Sequence, residues 1–555
     1  MKYRDLLQPD YIFHSGAVYT ADAQDTVYEA VAVTGNRITA LGTSEEILAL
    51  AADSTQVVDL HGRAVIPGIN DAHNHPWEAG LMLDGLVLFG LDSIAALQKA
   101  VRERVSRMEP GQWLQGGSYI ESQFAENRPP DRRDLDAAAP DNPVVLERIF
   151  GACVANSAAL RAAGITRDTP DPEKGCIHRD TDGEPTGVLD GTAVLLVRAA
   201  MPGPFGSDEF GAGTGEPSVE LTQRSILRAM EEYRKYGITS VTEPGCSATV
   251  CKAYHQLLST GRMGYRVSLM PNWHGFTLKQ DEAQLDRLLE TYPFASGFGN
   301  DWLRYGGLKM AIDGGLTSGT ALKSWPYKGE DAPRQVQLRL DLDKLDGYVK
   351  NAHDHGWDVG IHVMGDIAVE RAVDAIYKAA QANPRPHRHH IIHAYYPTEE
   401  ALEKMARAGI LAACQASFIY GECDGYPQLL PEDKQESFTP LRSYMDHGIT
   451  VALSTDMPCA HINPFWNLYS AVTRKGMRGH CLGTKECISV LEGIRMLTYN
   501  GACIDGGERE KGSLEPGKLA DLAVLDRDIG RIDPEELRHT QVDLTMLDGK
   551  VIYTR

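Results

Sequence analysis

The sequence predicts an α/β protein built on a (β/α)8 TIM-like barrel, with a discontinuous β-sandwich domain formed by the two termini and a large insertion after the first barrel strand. Three observations predict it. Strand-like and helix-like runs alternate through the middle of the chain, both ends read as β only, and several apolar strands close on a His, Lys or Asp.

At the N-terminal end Tyr11 to Thr20, Ala30 to Gly42 and Thr55 to Leu60 are strand-like, and at the C-terminal end Leu519 to Asp526 and Val542 to Tyr553 are, the last turning at Asp548-Gly549. Neither end has enough strands to stand alone. The two are therefore expected to pair as one domain, 1–66 with 510–555, around a barrel spanning 67–509. Barrel strands are expected at Ala64 to Ile69, Ile238 to Thr242, Tyr265 to Met270, Leu303 to Ala311, Asp358 to Val363, His389 to Ala394, Gly409 to Cys414 and Ile449 to Ser454. Helical patterns lie between most of them: Val219 to Tyr236, Thr249 to Thr260, Gln280 to Thr291, Leu342 to His355, Ile367 to Ala380, Thr398 to Ala408 and Phe438 to His447. Alternation of this kind argues for a parallel sheet covered by helices. The gap after the first strand is far too long for a loop, so about 77–217 is read as an inserted subdomain placed to act as a lid. Its Pro/Gly-rich stretches, Asp168 to Gly187 and Met201 to Pro217, read as irregular connectors.

Composition narrows the function. With 43% hydrophobic and 24% charged residues the 555-residue chain is an ordinary globular protein able to bury a large core. A net charge of -21 argues against nucleic-acid or anionic-membrane partners and leaves a small-molecule substrate. A homo-oligomer stays open. The 10 cysteines form no Cys-x-x-Cys pair and read as reduced thiols, and no apolar run is long enough to span a bilayer, so the cytoplasm is the expected compartment.

The chemistry is carried by strand ends. Val65-Ile-Pro-Gly-Ile-Asn-Asp-Ala-His73-Asn-His75 closes an apolar strand on a His-x-His pair, and side chains two apart on a strand point the same way. Alone such a pair is weak. Lys309, His362, His393 and Asp456 each end or sit on another apolar strand, and in a barrel all such ends face one mouth. Imidazoles and a carboxylate suit Zn²⁺, with Mn²⁺, Fe²⁺ or Co²⁺ as alternatives. An ammonium cannot bind a cation, so Lys309 is neutral, converted to a carbamate by CO₂, or no ligand. In the last case Glu243, ending the second strand, is the substitute anion.

Taken together, Pro-Gly-Ile-Asn-Asp-Ala-His73-Asn-His75, Asn156-Ser-Ala-Ala-Leu160, Gly307-Leu-Lys309-Met-Ala-Ile-Asp313-Gly, His362-Val-Met-Gly-Asp366, His393-Ala, Ser454-Thr-Asp456 and Lys511-Gly-Ser-Leu-Glu-Pro-Gly-Lys-Leu-Ala-Asp521-Leu resemble the amidohydrolase superfamily. The resemblance is to its YtcJ-like amidohydrolase 3 branch, which includes N-substituted formamide deformylases, and it runs through nearly the whole chain. It implies a centre of one or two metals held by His73, His75, carbamylated Lys309, His362, His393 and Asp456. The chain departs from the branch at Phe150-Gly151-Ala152, where many relatives carry a histidine.

From these ligands the expected reaction is hydrolysis of an amide-type C–N bond in an N-acyl, N-formyl or cyclic amide by a metal-activated hydroxide, with Asp456 as the proton shuttle. The alternatives are a deaminase of an aminated heterocycle and a non-catalytic regulatory relative. Trp77, Trp273, His274, Phe418, Tyr420 and Trp466 follow strand ends and are candidates for an aromatic pocket. Asp313 and Asp366 are read as supporting the ligands from behind, Asp366 also as a helix cap. His387-Arg-His-His390 is read as a solvated strand entrance.

Overall fold

The computed structural model describes residues 8–126, 128–148, 152–173, 175–201, 217–272 and 282–555. Its centre is parallel β. Ile69–Asp71, Ile238–Cys246, Arg266–Pro271 and Leu303–Tyr305 form one sheet in chain order, and Leu308–Ala311, Val359–Val363, His390–His393, Leu411–Cys414 and Val451–Leu453 form a second. Most of these residues are buried, the sign of strands covered on both faces.

The expected 303–311 strand is broken in two, and the cause is Gly306-Gly307. Gly306 N–H donates to Leu269 O on one neighbour, and Leu308 N–H donates to Asp358 O on the other. A Cβ on Gly306 would stand 2.2 Å from Ser268 Oγ, and one on Gly307 would stand 2.9 Å from Asp358 O, so only glycines fit where the strand changes partner.

Helices fill the connections with their apolar stripes inward. Asp366–Ala382 buries Ala368, Val369, Ala372, Val373, Ile376 and Ala379, the three- and four-residue spacing of one helical face. Glu399–Ala408 starts where the Thr398 hydroxyl accepts from Ala401 N–H and stops at Gly409, whose φ of +69° favours glycine. The remaining expected helices also form, at Val219–Tyr233, Ala248–Ser259, Glu282–Thr291, Leu345–Asp354 and Leu441–Asp446.

The two ends of the chain share a sheet. Ala64–Pro67 pairs with Ala17–Tyr19 on one side and antiparallel with Leu522–Leu525 on the other, and Val542–Leu547 and Lys550–Thr554 continue it. Asp548 and Gly549, at φ +54° and +72°, make the hairpin turn. Arg37–Gly42, Ala30–Thr34, Tyr11–His14 and Gln56–Asp59 form a second sheet, and residues from both, with Phe13, Val33, Val65, Leu522 and Met546 among them, make one apolar cluster. Arg266 ties this end to the parallel strands: its buried guanidinium forks onto Asp521 at 2.6 and 3.0 Å.

The insertion is more ordered than its composition implies. Leu86–Val87, Leu114–Tyr119, Val144–Arg148, Ala152–Ala155, Pro185–Gly191 and Gly175–Arg179 form a six-stranded sheet. The stretch Asp168 to Gly187 therefore contains most of a hairpin, where an irregular connector was expected. Asp180 Oδ1 accepts from Asp182 and Glu184 N–H, and Gly183 at φ +80° closes the turn. Residues 202–216 lie outside the described residues.

Candidate metal centre

The first strand ends in a pinned tripeptide. His73 O accepts from Asp456 N–H at 2.9 Å, Asn74 N–H donates to Thr242 O at 3.0 Å, and His75 N–H donates to Met457 O at 3.0 Å. Below it the buried Asp71 carboxylate accepts from Thr455 N–H at 2.9 Å, the Thr455 hydroxyl at 2.5 Å and Asn74 Nδ2 at 2.8 Å. Asn74 Oδ1 accepts in turn from the Tyr233 hydroxyl. The ends of the first and last parallel strands are thus bound through both backbone and side chains.

This frame brings His73, His75 and Asp456 together. Asp456 Oδ1 lies 3.4 Å from His73 Nε2 and 3.3 Å from His75 Nε2, and it is buried without a hydrogen-bond partner. Among the described residues this is the one group of three or more His, Cys, Asp or Glu side chains spaced to hold a metal ion. His393 stands against it, its ring 5.5 Å from that of His73, and His362 Nδ1 is 2.9 Å from His393 Nε2. Asp456 and His393 sit at φ +57° and +68°, a left-handed backbone that side chains other than glycine rarely take and that surrounding contacts must hold.

The electrostatics suit a cation. Burial, then the nearby Lys309, holds His73 well below its ordinary range; burial, then His393, does the same for His362; and burial brings His393 to about 4. These are neutral imidazoles, the form that binds metal. Buried Lys309 is brought down to about 7 by desolvation, against the pull of Asp456. That eases loss of its proton, the condition for reaction with CO₂. Four histidines and an acid with an unsatisfied buried oxygen are a donor set that fits a divalent metal.

The remaining sequence candidates divide. Asp313 accepts from Leu322, Met364 and Gly365 N–H at 2.8, 3.0 and 2.9 Å, bracing the loop that follows His362, and burial raises its carboxyl to about 7. Asp366 is not the cap that the sequence predicts: Gly365 is, with no side-chain cap bond, and Asp366, the first helical residue, instead accepts from the Ser324 N–H and hydroxyl. Glu243 is buried with Oε1 3.5 Å from Trp77 N and Oε2 unpartnered, and burial raises its carboxyl to about 8. Phe418, Tyr420 and Trp466 line one small cavity of about 20 Å³, whereas Trp77 packs into the main apolar cluster. Trp273 and His274 lie outside the described residues, as do Phe150 and Gly151. His389 and His390 are buried rather than solvated: His389 Nε2 lies 2.8 Å from His353 Nδ1, and its Nδ1 accepts from Val359 N–H.

Sequence reasoning missed Gln415. Its Oε1 is 2.6 Å from His393 Nδ1, and its Nε2 donates to Ser454 Oγ at 2.8 Å, which orients the imidazole and leaves Nε2 toward the site. The signal was present, a polar residue just past the apolar Leu411–Cys414 strand.

Parallel strands whose ends carry four histidines, a lysine and an aspartate define a metal-dependent hydrolase. The chain belongs to the amidohydrolase family, whose model matches residues 56–553. It is 30% identical to YtcJ of Bacillus subtilis, covering 98% of this chain and 99% of that one. It is 29% identical to the N-substituted formamide deformylase of Arthrobacter pascens, covering 98% of each. In fold it is similar to an uncharacterized metal-dependent hydrolase of Pyrococcus horikoshii, with a TM-score of 0.71 at 24% identity over 95% of this chain and 99% of that one. No helix among the described residues is long and apolar enough to cross a membrane.

Proposed function

We propose that this chain hydrolyses the C–N bond of a small N-formyl, N-acyl or cyclic amide at a zinc centre that His73, His75, His362, His393 and Asp456 would hold, to which Lys309 would contribute as a carbamate. The observation that carries the reading is the buried, unpartnered Asp456 Oδ1 facing two imidazole nitrogens. A divalent ion bound there would supply Lewis acidity to the amide carbonyl and to a water. Asp456 takes the proton of the attacking water and returns it to the leaving nitrogen, which departs as the amine or, from a cyclic amide, stays attached in the ring-opened product. His393, aimed by Gln415, and His362, backed by the loop that Asp313 braces, keep the site's far wall fixed. The printed activity of the Arthrobacter relative favours a formamide as the first substrate to try.

The same reading takes the parallel strands as the staves of a closed (β/α)8 barrel, counting 303–311 as one stave, with 1–66 and 510–555 as a discontinuous β-sandwich and about 77–217 as an inserted subdomain. Backbone bonds from Asp456 to His73 and from His75 to Met457 support closure between the last and first strands. Cytoplasmic residence is consistent with ten free cysteines.

The test is metal analysis of purified protein, followed by a screen of N-formyl amines, N-acyl amino acids and cyclic imides with separate detection of formate, amine and ammonia. Amine release with bound zinc is expected. Ammonia release from an aminated heterocycle, or inertness of the metal-loaded protein on every amide, overturns the proposal.

A further inference from the structure

The insertion meets the candidate centre at a strained residue. Leu114–Tyr119 runs in register with Val144–Arg148 as far as Gly117 opposite Glu147, and the next pair is Tyr119 with Arg148, so Ser118 is an extra residue in the ladder, a β-bulge. Its φ of +70° is left-handed, a backbone that glycine takes freely and serine takes at a cost. Gly116 and Gly117 stand just before it, yet the position that would gain most from glycine carries a hydroxyl. Strain kept at a buried position points to a task for the side chain there.

A bulge re-aims a side chain, and this one brings Ser118 Oγ to the junction of the two segments that leave the centre. The oxygen lies 3.0 Å from Pro458 O, in the turn after Asp456, and 3.0 Å from Met82 Sδ, on the Pro76–Asp84 helix that His75 opens. A hydroxyl has one proton to give, and the carbonyl is the stronger acceptor of the two. The turn itself is closed by Cys459 N–H, which donates to Asp456 O at 2.7 Å. His75 N–H holds Met457 O from the first strand at 3.0 Å, and Ser118 holds Pro458 O from the insertion. Asp456 stands at φ +57°, so its carboxylate stays against His73 and His75 only while that turn is held.

We propose that Ser118 is a positioning residue: its hydroxyl, aimed by the bulge, fixes the 456–459 turn and with it the Asp456 carboxylate, so that the insertion helps to set the centre as well as to cover it. This deepens the amide reading and rests on it.

The test compares wild type with Ser118→Gly and Ser118→Ala. Both variants lose the hydroxyl, but glycine relieves the left-handed backbone and alanine does not. Their melting curves should therefore part, Ser118→Gly within about 2 °C of wild type and Ser118→Ala below it. Their effects on the site should agree. Three are measured: hydrogen exchange of the 455–460 segment by mass spectrometry, zinc loss from the loaded protein to a chromophoric chelator, and steady-state kinetics on the best N-formyl amine found. In both variants exchange is expected to quicken, zinc loss to rise about tenfold and kcat to fall about tenfold, with KM unchanged. Unchanged exchange, or faster exchange with wild-type zinc loss and kcat, overturns the proposal. So do site effects that follow the melting temperature, with Ser118→Gly behaving as wild type. Faster exchange and zinc loss in a protein that hydrolyses no amide supports this inference and sinks the amide reading. Amide hydrolysis with wild-type exchange and kcat in both variants does the reverse.

Discussion

Asp71 is where architecture and activity are most tightly joined, and Asp71→Asn separates them from metal binding. The carboxylate receives three close donors, Thr455 N–H, the Thr455 hydroxyl and Asn74 Nδ2, at 2.9, 2.5 and 2.8 Å. An asparagine oxygen can keep the first. Its NH₂ group then faces Asn74 Nδ2, donor against donor, so one charge-assisted bond is lost and a buried donor goes unmet. Those losses come to about 3–5 kcal/mol together. Burial works the other way, since it raises the Asp71 carboxyl to about 6. Relief of that strain returns about 2–3 kcal/mol, leaving a net loss of about 0–3 kcal/mol. Catalysis should suffer more, because the same link places Asp456 against His73, and a misplacement of about 1 Å costs on the order of 100-fold. The assays are metal content, a melting curve and formamide turnover on one preparation. Metal is expected to stay bound while the melting temperature drops by no more than about 3 °C and kcat falls roughly 100-fold. Wild-type turnover in this variant would refute the claim that the Asp71 bridge positions the site.

Asp456→Asn should leave a folded protein yet reduce turnover by about 1,000-fold or more, since it removes the proposed proton carrier and ligand; circular dichroism and steady-state rates check it. Asp521→Ala removes the fork beneath the buried Arg266 guanidinium, which keeps Asp548 at 3.1 Å, and is expected to destabilise by about 2–3 kcal/mol. It should spare the kcat of the fraction that stays folded, as urea titration against activity will show. At the other end of the strands His387 is brought to about 4 by burial, then by Arg385 and His353. Its folded pKa lies below the unfolded value of about 6.5, so the unfolded chain binds more protons between pH 6.5 and 4 and stability falls as pH drops through that window. His387→Gln should flatten the acid limb of the melting profile by about 1–2 kcal/mol, a figure discounted for partial exposure; an unchanged limb would rule the histidine out.

Much of the fold was legible because periodicity is local. Apolar runs with helical stripes between them announced the alternation, and Asp548-Gly549 announced its hairpin. The partner switch at Gly306-Gly307 was not legible, since no pattern along one strand reveals which neighbour each half will choose. The insertion's sheet was hidden for another reason. Leu114–Tyr119 carries two glycines, and the hairpin around Gly183 lies in a Pro/Gly-rich stretch, so composition masked strands that tertiary pairing stabilises. His387 to His390 misled in the opposite sense, because imidazoles that satisfy one another can be buried together.

At the site, the legible residues were those that end an apolar strand and face the centre. Asp71, Asn74 and Gln415 escaped because their partners are remote in sequence, Thr455 for the first two. The quoted motifs divide on the same line. Asn156 is a brace: fully buried, it accepts from Val144 and Ala159 N–H and donates to Ala139 and Asn142 O. Asp521 anchors Arg266, and Lys511 pairs with Asp505 at 2.5 Å. None of the motif segments contributes to the described lining of the aromatic cavity, whose walls come from the insertion, the 417–422 helix, the loop after Asp456, the Pro464–Thr473 helix and Met477. The quoted motifs thus map onto the candidate centre and its braces rather than onto that cavity. This is why the reaction class can be read from this chain while its substrate is left to a screen.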